Sequence, residues 1–120
     1  MTRILLVEDH AIFRNALALL LGHEPDLKVV AQAGSLAGAT EVLDRRFDVA
    51  VVDLGLPDGD GRELIGKLRR SSPGVSVLVL SATIMAGQID DVRREGADAV
   101  LTKVEAPLTI VEEIRRLAGG

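Results

Sequence analysis

Five short apolar runs constrain this chain more than any other feature of its sequence. They are rich in Val, Ile and Leu and do not alternate with polar residues, a pattern typical of strands buried on both faces of a parallel sheet. The runs are Ile4–Val7, Val29–Ala31, Val49–Val52, Val77–Leu80 and Ala99–Leu101. The sequence therefore predicts a parallel sheet of five strands.

Each run is followed by a segment in which apolar residues recur at helical spacing. These segments are 10–21, 36–45, 61–70, 88–94 and 107–117. Pro107 suits a first helical turn, while Gly22 and Gly96 follow segments as helix stop signals do. Strands and helices that alternate five times predict a doubly wound α/β fold, because crossovers between parallel strands are right-handed. The 120 residues have room for one such domain.

Composition and charge exclude several function classes. The chain has no cysteine, which excludes disulfides, thiolate metal sites and cysteine nucleophiles. No apolar run approaches the roughly 20 residues of a membrane-spanning helix and no secretory leader opens the sequence, so we expect a cytoplasmic protein without membrane contact. The net charge is −4 and the arginines stand in scattered pairs, so we expect no direct binding of nucleic acid by this segment.

Polar side chains follow four of the five predicted strands. Because parallel strands end along one edge of a sheet, where such sheets bind ligands, these side chains should lie together. They are Glu8 and Asp9 after the first strand, Asp53 after the third, Ser81 after the fourth, and Thr102 and Lys103 after the fifth. Three carboxylates, hydroxyl groups and one ammonium group are therefore expected at one edge.

Each of these residues alone has a simpler structural interpretation. Asp9 could cap the first helix, and Asp53 could begin the turn that follows it. Ser81 could belong to a turn, and Lys103 could be a solvated surface lysine. Together the residues are harder to explain in this way, because clustered carboxylates repel one another unless a cation holds them.

The side chains at this edge favour a magnesium ion. Oxygen ligands without His or Cys select a hard cation, and a partly hydrated site suits Mg²⁺ better than Ca²⁺. Beside such an ion, Lys103 could neutralise a phosphoryl group and the Ser81 hydroxyl could donate a hydrogen bond to it. Asp53 lies centrally among these groups, so it is the candidate nucleophile that would become an acyl phosphate.

The same residues resemble the signature of a known family. The acid pair at 8–9, the segment 53–61, the pair Ser81–Ala82 and Lys103 have the order and spacing of the receiver domain of two-component response regulators. The resemblance extends over residues 1–120 and implies a single receiver domain. It implies a flavodoxin-like (βα)5 fold with strand order 2-1-3-4-5. It also implies a signalling switch rather than an enzyme, with a histidine kinase as the phosphoryl donor and slow hydrolysis afterwards.

The resemblance assigns a role to each matched position. Asp53 would be the phosphoacceptor. The implied Mg²⁺ ligands are Asp9, Asp53, the backbone carbonyl of Gly55 and, through a water molecule, Glu8. The implied phosphoryl-binding groups are the Ser81 side chain, the backbone amide of Ala82 and the Lys103 side chain.

Both ends of the sequence are similar to the NarL/FixJ subfamily. Residues 8–10 and 113–120 carry this similarity. It implies transcription regulation through a LuxR-type DNA-binding output domain outside these 120 residues, and a possible homodimer through the first and last helices. Ile12 and Leu19 widen the apolar arc of the first helix, as a dimer would need, although core packing explains the same residues. His10 is most simply a solvated residue beside the site.

Several positions depart from the family pattern. Val100 stands where the family usually has the Tyr or Phe whose ring moves with the hydroxyl residue, and Val104 stands where a proline commonly follows the lysine. Gly55 and Thr83 occupy positions thought to tune the lifetime of the phosphoryl group. The chemistry of the site is therefore complete, while Val100 makes the relay of the signal atypical.

The loop after the fourth strand is the expected moving part. Phosphorylation adds close to two negative charges, and Ser81 should be drawn toward them together with residues 82–87. Ile84 and Met85 either form an exposed apolar surface or pack over the sheet edge, and Gly87 is a candidate hinge.

Two other functions remain open at this point. A pseudo-receiver would keep the fold as a protein-interaction module without phosphorylation, which Val100 and Val104 slightly favour and the intact acids and Lys103 oppose. A small flavin-binding domain would share the architecture, but Glu8 and Asp9 would repel the flavin phosphate.

Overall fold

A parallel sheet of five strands forms the centre of the structure, a computed structural model that describes residues 1–82, 86–105 and 107–119. The strands are β1 (Thr2–Val7), β2 (Leu27–Ala33), β3 (Val49–Asp53), β4 (Gly55–Leu56), β5 (Gly59–Asp60), β6 (Ser76–Ser81) and β7 (Ala99–Thr102). The main sheet has the order β2-β1-β3-β6-β7, while β4 and β5 pair separately as an antiparallel hairpin. The predicted strand order is confirmed, since the hairpin strands lie outside the main sheet.

Five helices accompany the strands in the described ranges of the chain. They are α1 (Ala11–Gly22), α2 (Leu36–Glu41), α3 (Gly61–Ser71), α4 (Ala86–Arg94) and α5 (Pro107–Gly119). Four of them match the predicted segments to within two residues, but α2, predicted to reach residue 45, ends at Glu41. Gly38 and Thr40 both have low helix propensity, which explains the short helix. In the described part of the chain, no helix is long and apolar enough to cross a membrane.

Alternate residues of the central strands fill two cores on opposite faces of the sheet. All five residues of β3 are buried. Ala50 and Val52 pack in the core that contains residues of α2, α3 and α4. Val49 and Val51 pack in the core that contains residues of α1 and α5. The helices therefore lie three on one face and two on the other, and the sheet ends remain free to carry polar groups.

The β4–β5 hairpin joins β3 to the helices by close approaches of the backbone. A Cβ atom at Gly61 would lie 2.5 Å from the carbonyl oxygen of Asp53, and one at Gly59 would lie 2.6 Å from Cδ2 of Leu36. Asp58, in the hairpin turn, accepts hydrogen bonds from the first two backbone N–H groups of α2, at 2.7 and 3.0 Å. The hairpin is therefore tied to the start of α2 through Asp58 and Gly59, while Gly61 brings the start of α3 against the backbone of Asp53.

Aspartates precede two strands at the edge where the parallel strands begin, which we call the amino edge. Oδ2 of Asp98 accepts a hydrogen bond from the Val77 N–H at 2.7 Å and lies 2.5 Å from Nη2 of Arg69. Oδ2 of Asp48 accepts a hydrogen bond from the Arg3 N–H at 2.8 Å. These carboxylates supply acceptors to N–H groups at the beginnings of neighbouring strands, which stabilises the sheet there.

Candidate functional site

The three predicted carboxylates come together at the opposite edge, where the strands end, which we call the carboxyl edge. β1 and β3 are neighbours with Val7 opposite Val52, so Glu8 and Asp53 follow side by side. One carboxylate oxygen from each of Glu8, Asp9 and Asp53 lies within 4.8 Å of the other two. The prediction that these acids lie together at one edge of the sheet is therefore confirmed.

The three acids differ in burial. Glu8 is 2% exposed and Asp53 is 6% exposed, whereas Asp9 is open to solvent. The interpretation of Asp9 as a helix cap is wrong, because His10 occupies the capping position of α1 and its side chain makes no capping hydrogen bond. His10 is exposed, as expected. Asp9 is thus the acid of the three that a hydrated cation can reach directly from solvent.

Lys103 lies between the two buried acids. Its Nζ donates a hydrogen bond to Oε1 of Glu8 and lies 3.2 Å from Oδ2 of Asp53. The Phe13 ring of α1 lies on another side, with its centroid 5.3 Å from Nζ, close enough for a cation–π attraction. The Lys103 backbone N–H bonds the Ser81 carbonyl oxygen at 2.8 Å, which fixes the turn after β7. Lys103 is therefore a half-buried site residue and not a solvated surface lysine.

The buried acids affect each other's ionisation. Burial raises the pKa of the Glu8 carboxyl to about 7, and a hydrogen bond with Asp53 acts in the same direction against the influence of Lys103. Burial alone would raise the pKa of Asp53 as well, but hydrogen bonds from Glu8, the Gly55 N–H and Lys103 hold it below its usual range. Asp53 is therefore the acid of this pair that stays ionised near neutral pH.

The donor set fits a divalent cation that prefers oxygen ligands. Lys103 pairs with Glu8 and Asp53, so when the three carboxylates are ionised negative charge is in excess among these four side chains and favours a cation. The Gly55 N–H donates to Oδ1 of Asp53 at 3.2 Å and so orients that carboxylate. Glycine at this exposed position leaves open space, since a Cβ there would have no atom within 4 Å. Oxygen ligands with room for water are what Mg²⁺ requires.

The predicted phosphoryl-binding residues lie beside this cluster. Leu80 pairs with Asp53 across β6 and β3, so Ser81 at the end of β6 follows next to Asp53. Ser81 is half-buried and Ala82 is exposed at the same edge. The predictions for Thr83, Ile84 and Met85 fall outside the described residues, and Gly87 lies within α4.

Val100 occupies the middle of β7, at the position where an aromatic residue was expected from the family pattern. It pairs with Val79 of β6, is half-buried and packs against the core that contains α2, α3 and α4. Val104 follows Lys103 and is 85% exposed. A small, partly buried side chain therefore stands at the position where the family pattern has a large ring.

Sequence reasoning missed the contact that Arg14 makes with this site. Its Nη1 donates a hydrogen bond to the backbone carbonyl oxygen of Glu8 at 2.7 Å. The signal was present in the sequence, because Arg14 is the sole charged residue of α1. The Glu8–Lys103 ion pair was also missed, since it joins residues far apart in the chain.

Comparisons with known proteins show which family and which fold this chain is similar to. The family model described as the response regulator receiver domain matches residues 4–115. The DNA-binding transcriptional activator DevR/DosR of Mycobacterium tuberculosis is 35% identical over 100% of this chain and 56% of its own length. This chain therefore spans little more than half of that curated relative.

Two solved structures show the same fold. The receiver domain of the putative response regulator NarL from M. tuberculosis superposes with a TM-score of 0.91 at 25% identity, covering 99% of this chain and 97% of that one. A response regulator from Burkholderia pseudomallei, solved with a phosphorylated aspartic acid, a calcium ion and citrate, gives 0.88 at 25% identity, covering 98% and 69%.

Proposed function

The chain belongs to the family of response regulator receiver domains, and on that premise we propose that Asp53 is its phosphoacceptor and Mg²⁺ its cofactor. The observation that carries the proposal is the cluster of Glu8, Asp9 and Asp53 around the single ammonium group of Lys103. The arrangement holds the ionised carboxylate of Asp53 at the centre of a cluster in which carboxylates outnumber the ammonium group. A metal ion would supply the missing positive charge, and the Asp53 carboxylate would accept the phosphoryl group.

The residues that would hold Mg²⁺ are Asp9, Asp53, the backbone carbonyl of Gly55 and, through water, Glu8. When bound, the ion supplies positive charge against the oxygens of the transferred group. Glu8 and Asp53 are held by hydrogen bonds within the fold, whereas Asp9 is exposed and can exchange water for the ion.

The chemistry is a transfer of one phosphoryl group to the carboxylate. An oxygen of Asp53 attacks phosphorus, the bond from phosphorus to the donor nitrogen of a kinase histidine breaks, and an acyl phosphate forms. Lys103 already contacts Oδ2 of Asp53, so its ammonium group is placed to bind the new phosphoryl oxygens. Ser81 and the N–H of Ala82 follow the strand beside Asp53 and supply hydrogen bonds. The protein thus modifies its own carboxyl and is not an enzyme for a separate substrate.

We propose that the switch regulates transcription and that the protein is cytoplasmic. The relative named above is a DNA-binding transcriptional activator that is longer than this chain. A DNA-binding output domain outside these residues would receive the signal, and the receiver itself would not touch DNA. Ile12 and Leu19 of α1 and Leu108 of α5 are 60–77% exposed, which supports a homodimer through these two helices. Sedimentation with and without beryllofluoride, followed by interference optics because the chain lacks Trp and Tyr, tests the dimer.

Phosphorylation is tested by incubation with Mg²⁺ and acetyl phosphate, followed by intact-mass measurement. The wild type should gain one phosphoryl group, Asp53→Ala should gain none, and Asp98→Ala at the amino edge should still be labelled. A wild-type mass that does not change would sink the proposal and favour the pseudo-receiver. Labelling that survives Asp53→Ala would also sink it, because another group would then be the acceptor. The flavin alternative predicts binding of a flavin phosphate next to the buried Glu8, which like charge opposes.

A further inference from the structure

Arg14 reaches from α1 back to the end of β1. Its Nη1 donates a hydrogen bond to the carbonyl oxygen of Glu8 at 2.7 Å, and the side chain is half-buried. That carbonyl belongs to the peptide unit that joins Glu8 to Asp9. The guanidinium group therefore holds the peptide unit that joins the buried Glu8 to the exposed Asp9.

Gly34 provides the space that this contact needs. A Cβ atom at Gly34 would lie 2.8 Å from Nη1 of Arg14 and 3.8 Å from the carbonyl oxygen of Glu8. Among the described residues, Gly96 alone has a positive φ, so the backbone at Gly34 does not itself require glycine. What requires it is the guanidinium group, which lies directly over this position.

The backbone of Glu8 is held at two points, its N–H and its carbonyl oxygen. The Glu8 N–H bonds the Ala33 carbonyl oxygen at 2.9 Å, which ties the end of β1 to the end of β2. Arg14 holds the carbonyl side of the same residue. Asp9 lies just beyond this anchor and is exposed, so its direction depends on how firmly the preceding peptide is fixed.

We propose that Arg14, seated over Gly34, is a positioning residue that keeps the Asp9 carboxylate in reach of a bound Mg²⁺ ion. The inference rests on the proposed function, because it needs a metal at the carboxyl edge. Groups that orient a metal ligand without touching the metal typically change affinity 10- to 100-fold when removed. Arg14 acts on the ligands through the backbone and does not coordinate the ion.

Charge and position predict opposite effects for the loss of Arg14. A guanidinium group close to the acids repels a second cation, so a purely electrostatic role predicts tighter Mg²⁺ binding when its charge is removed. A positioning role predicts weaker binding. A role in stability alone predicts a lower melting temperature and unchanged Mg²⁺ affinity in the folded protein.

The experiment is a titration of the whole chain with magnesium chloride, followed by the amide NMR shifts of Asp9, Asp53 and Gly55. Arg14→Gln removes the charge and the Nη1 donor and leaves a shorter amide side chain, whereas Gly34→Ala keeps the charge and displaces the guanidinium group. Because the clash at Gly34 involves the end of a flexible side chain, Gly34→Ala should fold, and it decides the question if Arg14→Gln does not.

We expect each variant to weaken Mg²⁺ binding about tenfold. The double variant should bind no more weakly than Arg14→Gln alone, because the two changes break one contact. Arg3→Gln is the matched control, since Nε of Arg3 also donates to a backbone carbonyl, that of Arg46 at 3.0 Å, at the far edge of the sheet. Its affinity should equal that of the wild type.

The outcomes separate this inference from the proposed function. If the wild type binds no Mg²⁺ at these residues, both are overturned. If the wild type binds Mg²⁺ and folded Arg14→Gln and Gly34→Ala bind it equally or more tightly, the positioning role is overturned and the proposed function stands. Weakening that adds up in the double variant would show two separate effects and would also overturn the inference.

Discussion

The two edges of the sheet carry similar acidic and basic residues and use them in opposite ways. At the amino edge, Asp48 and Asp98 accept hydrogen bonds from backbone N–H groups, and Asp98 also pairs with Arg69. At the carboxyl edge, three carboxylates face one another and share the ammonium group of Lys103. The first edge is satisfied within the protein, whereas the second is left with an excess of negative charge.

The difference shows where this fold places stability and where it places function. A carboxylate that meets backbone donors stabilises the strands beside it. Carboxylates that meet one another destabilise the empty protein and gain from any cation that enters. Local rules of electrostatic matching are broken mainly at functional sites, so the carboxyl edge is the one to perturb for function.

The largest expected effect is that of Lys103→Met on phosphorylation. Loss of one preorganised donor to the developing charge should slow labelling of Asp53 by acetyl phosphate about 10²–10³-fold. The rate is measured by intact mass over time at saturating Mg²⁺. Arg69→Met removes a half-buried cation from the amino edge, and while folded it should be labelled at the wild-type rate. A slowing of similar size in both variants would erase the functional distinction between the edges.

Mg²⁺ itself should stabilise the protein through the carboxyl edge. At a concentration one hundred times its dissociation constant, the ion should add about 2.7 kcal/mol to the free energy of unfolding. Denaturant unfolding with Mg²⁺ and with excess chelator measures this increment. Asp98→Ala should gain as much as the wild type and Asp53→Ala much less, so equal gains in both variants would contradict the site.

Neutralisation of an aspartate should change stability in a direction that depends on the edge. Asp98→Ala leaves the Val77 N–H without its acceptor and Arg69 without its carboxylate partner, and should lower the free energy of unfolding by about 1–3 kcal/mol. Asp9→Ala in chelator should leave it unchanged or raise it, because it relieves repulsion. Chemical unfolding of both variants is the measurement, and a clear loss for Asp9→Ala would show that its charge is already balanced.

Asp58 gives the smallest effect and refines the comparison. It lies in the hairpin after β3, yet its partners are backbone N–H groups, those of Ala37 and Leu36, which hold its pKa below the usual range. Because the folded pKa is lowered, this carboxylate stabilises the protein above its unfolded pKa, and the contribution is lost as pH falls through the folded pKa. An NMR pH titration should show the Asp58 carboxyl and both amides titrating together in the acid range. In Asp58→Asn the Ala37 and Leu36 amides should lose that transition, and a normal pKa for Asp58 would refute the contact.

The sequence predicted the framework of the molecule well because buried parallel strands leave a strong pattern. Each of the five apolar runs lies within a strand of the main sheet. The acids, Ser81 and Lys103 lie at the carboxyl ends of those strands or directly after them. Their convergence needed only the rule that parallel strands end along one edge. Periodicity and strand order therefore carry most of the information about where the site is.

Contacts between distant side chains were not predictable in the same way. The pairing of Lys103 with Glu8, the seat of Arg14 over Gly34 and the bond from Asp58 to α2 depend on register and packing. Periodicity reports which face a residue occupies and does not report which partner it meets there. The early end of α2 was missed for a related reason, because a weak helix takes its length from its neighbours.

The order of strands in the sheet has a consequence for how the site comes into being during folding. β1, which leads into Glu8 and Asp9, lies between β2 and β3, and Lys103 arrives with β7 at the far side. Every pairing in this sheet is parallel and closes a long loop. The chain therefore loses much conformational entropy before native contacts stabilise it. The acids, the lysine and the phosphoacceptor are thus brought within reach only when most of the chain has condensed. A fragment shorter than the domain would therefore lack part of the site. Binding or labelling at the site thus reports that the whole domain has folded.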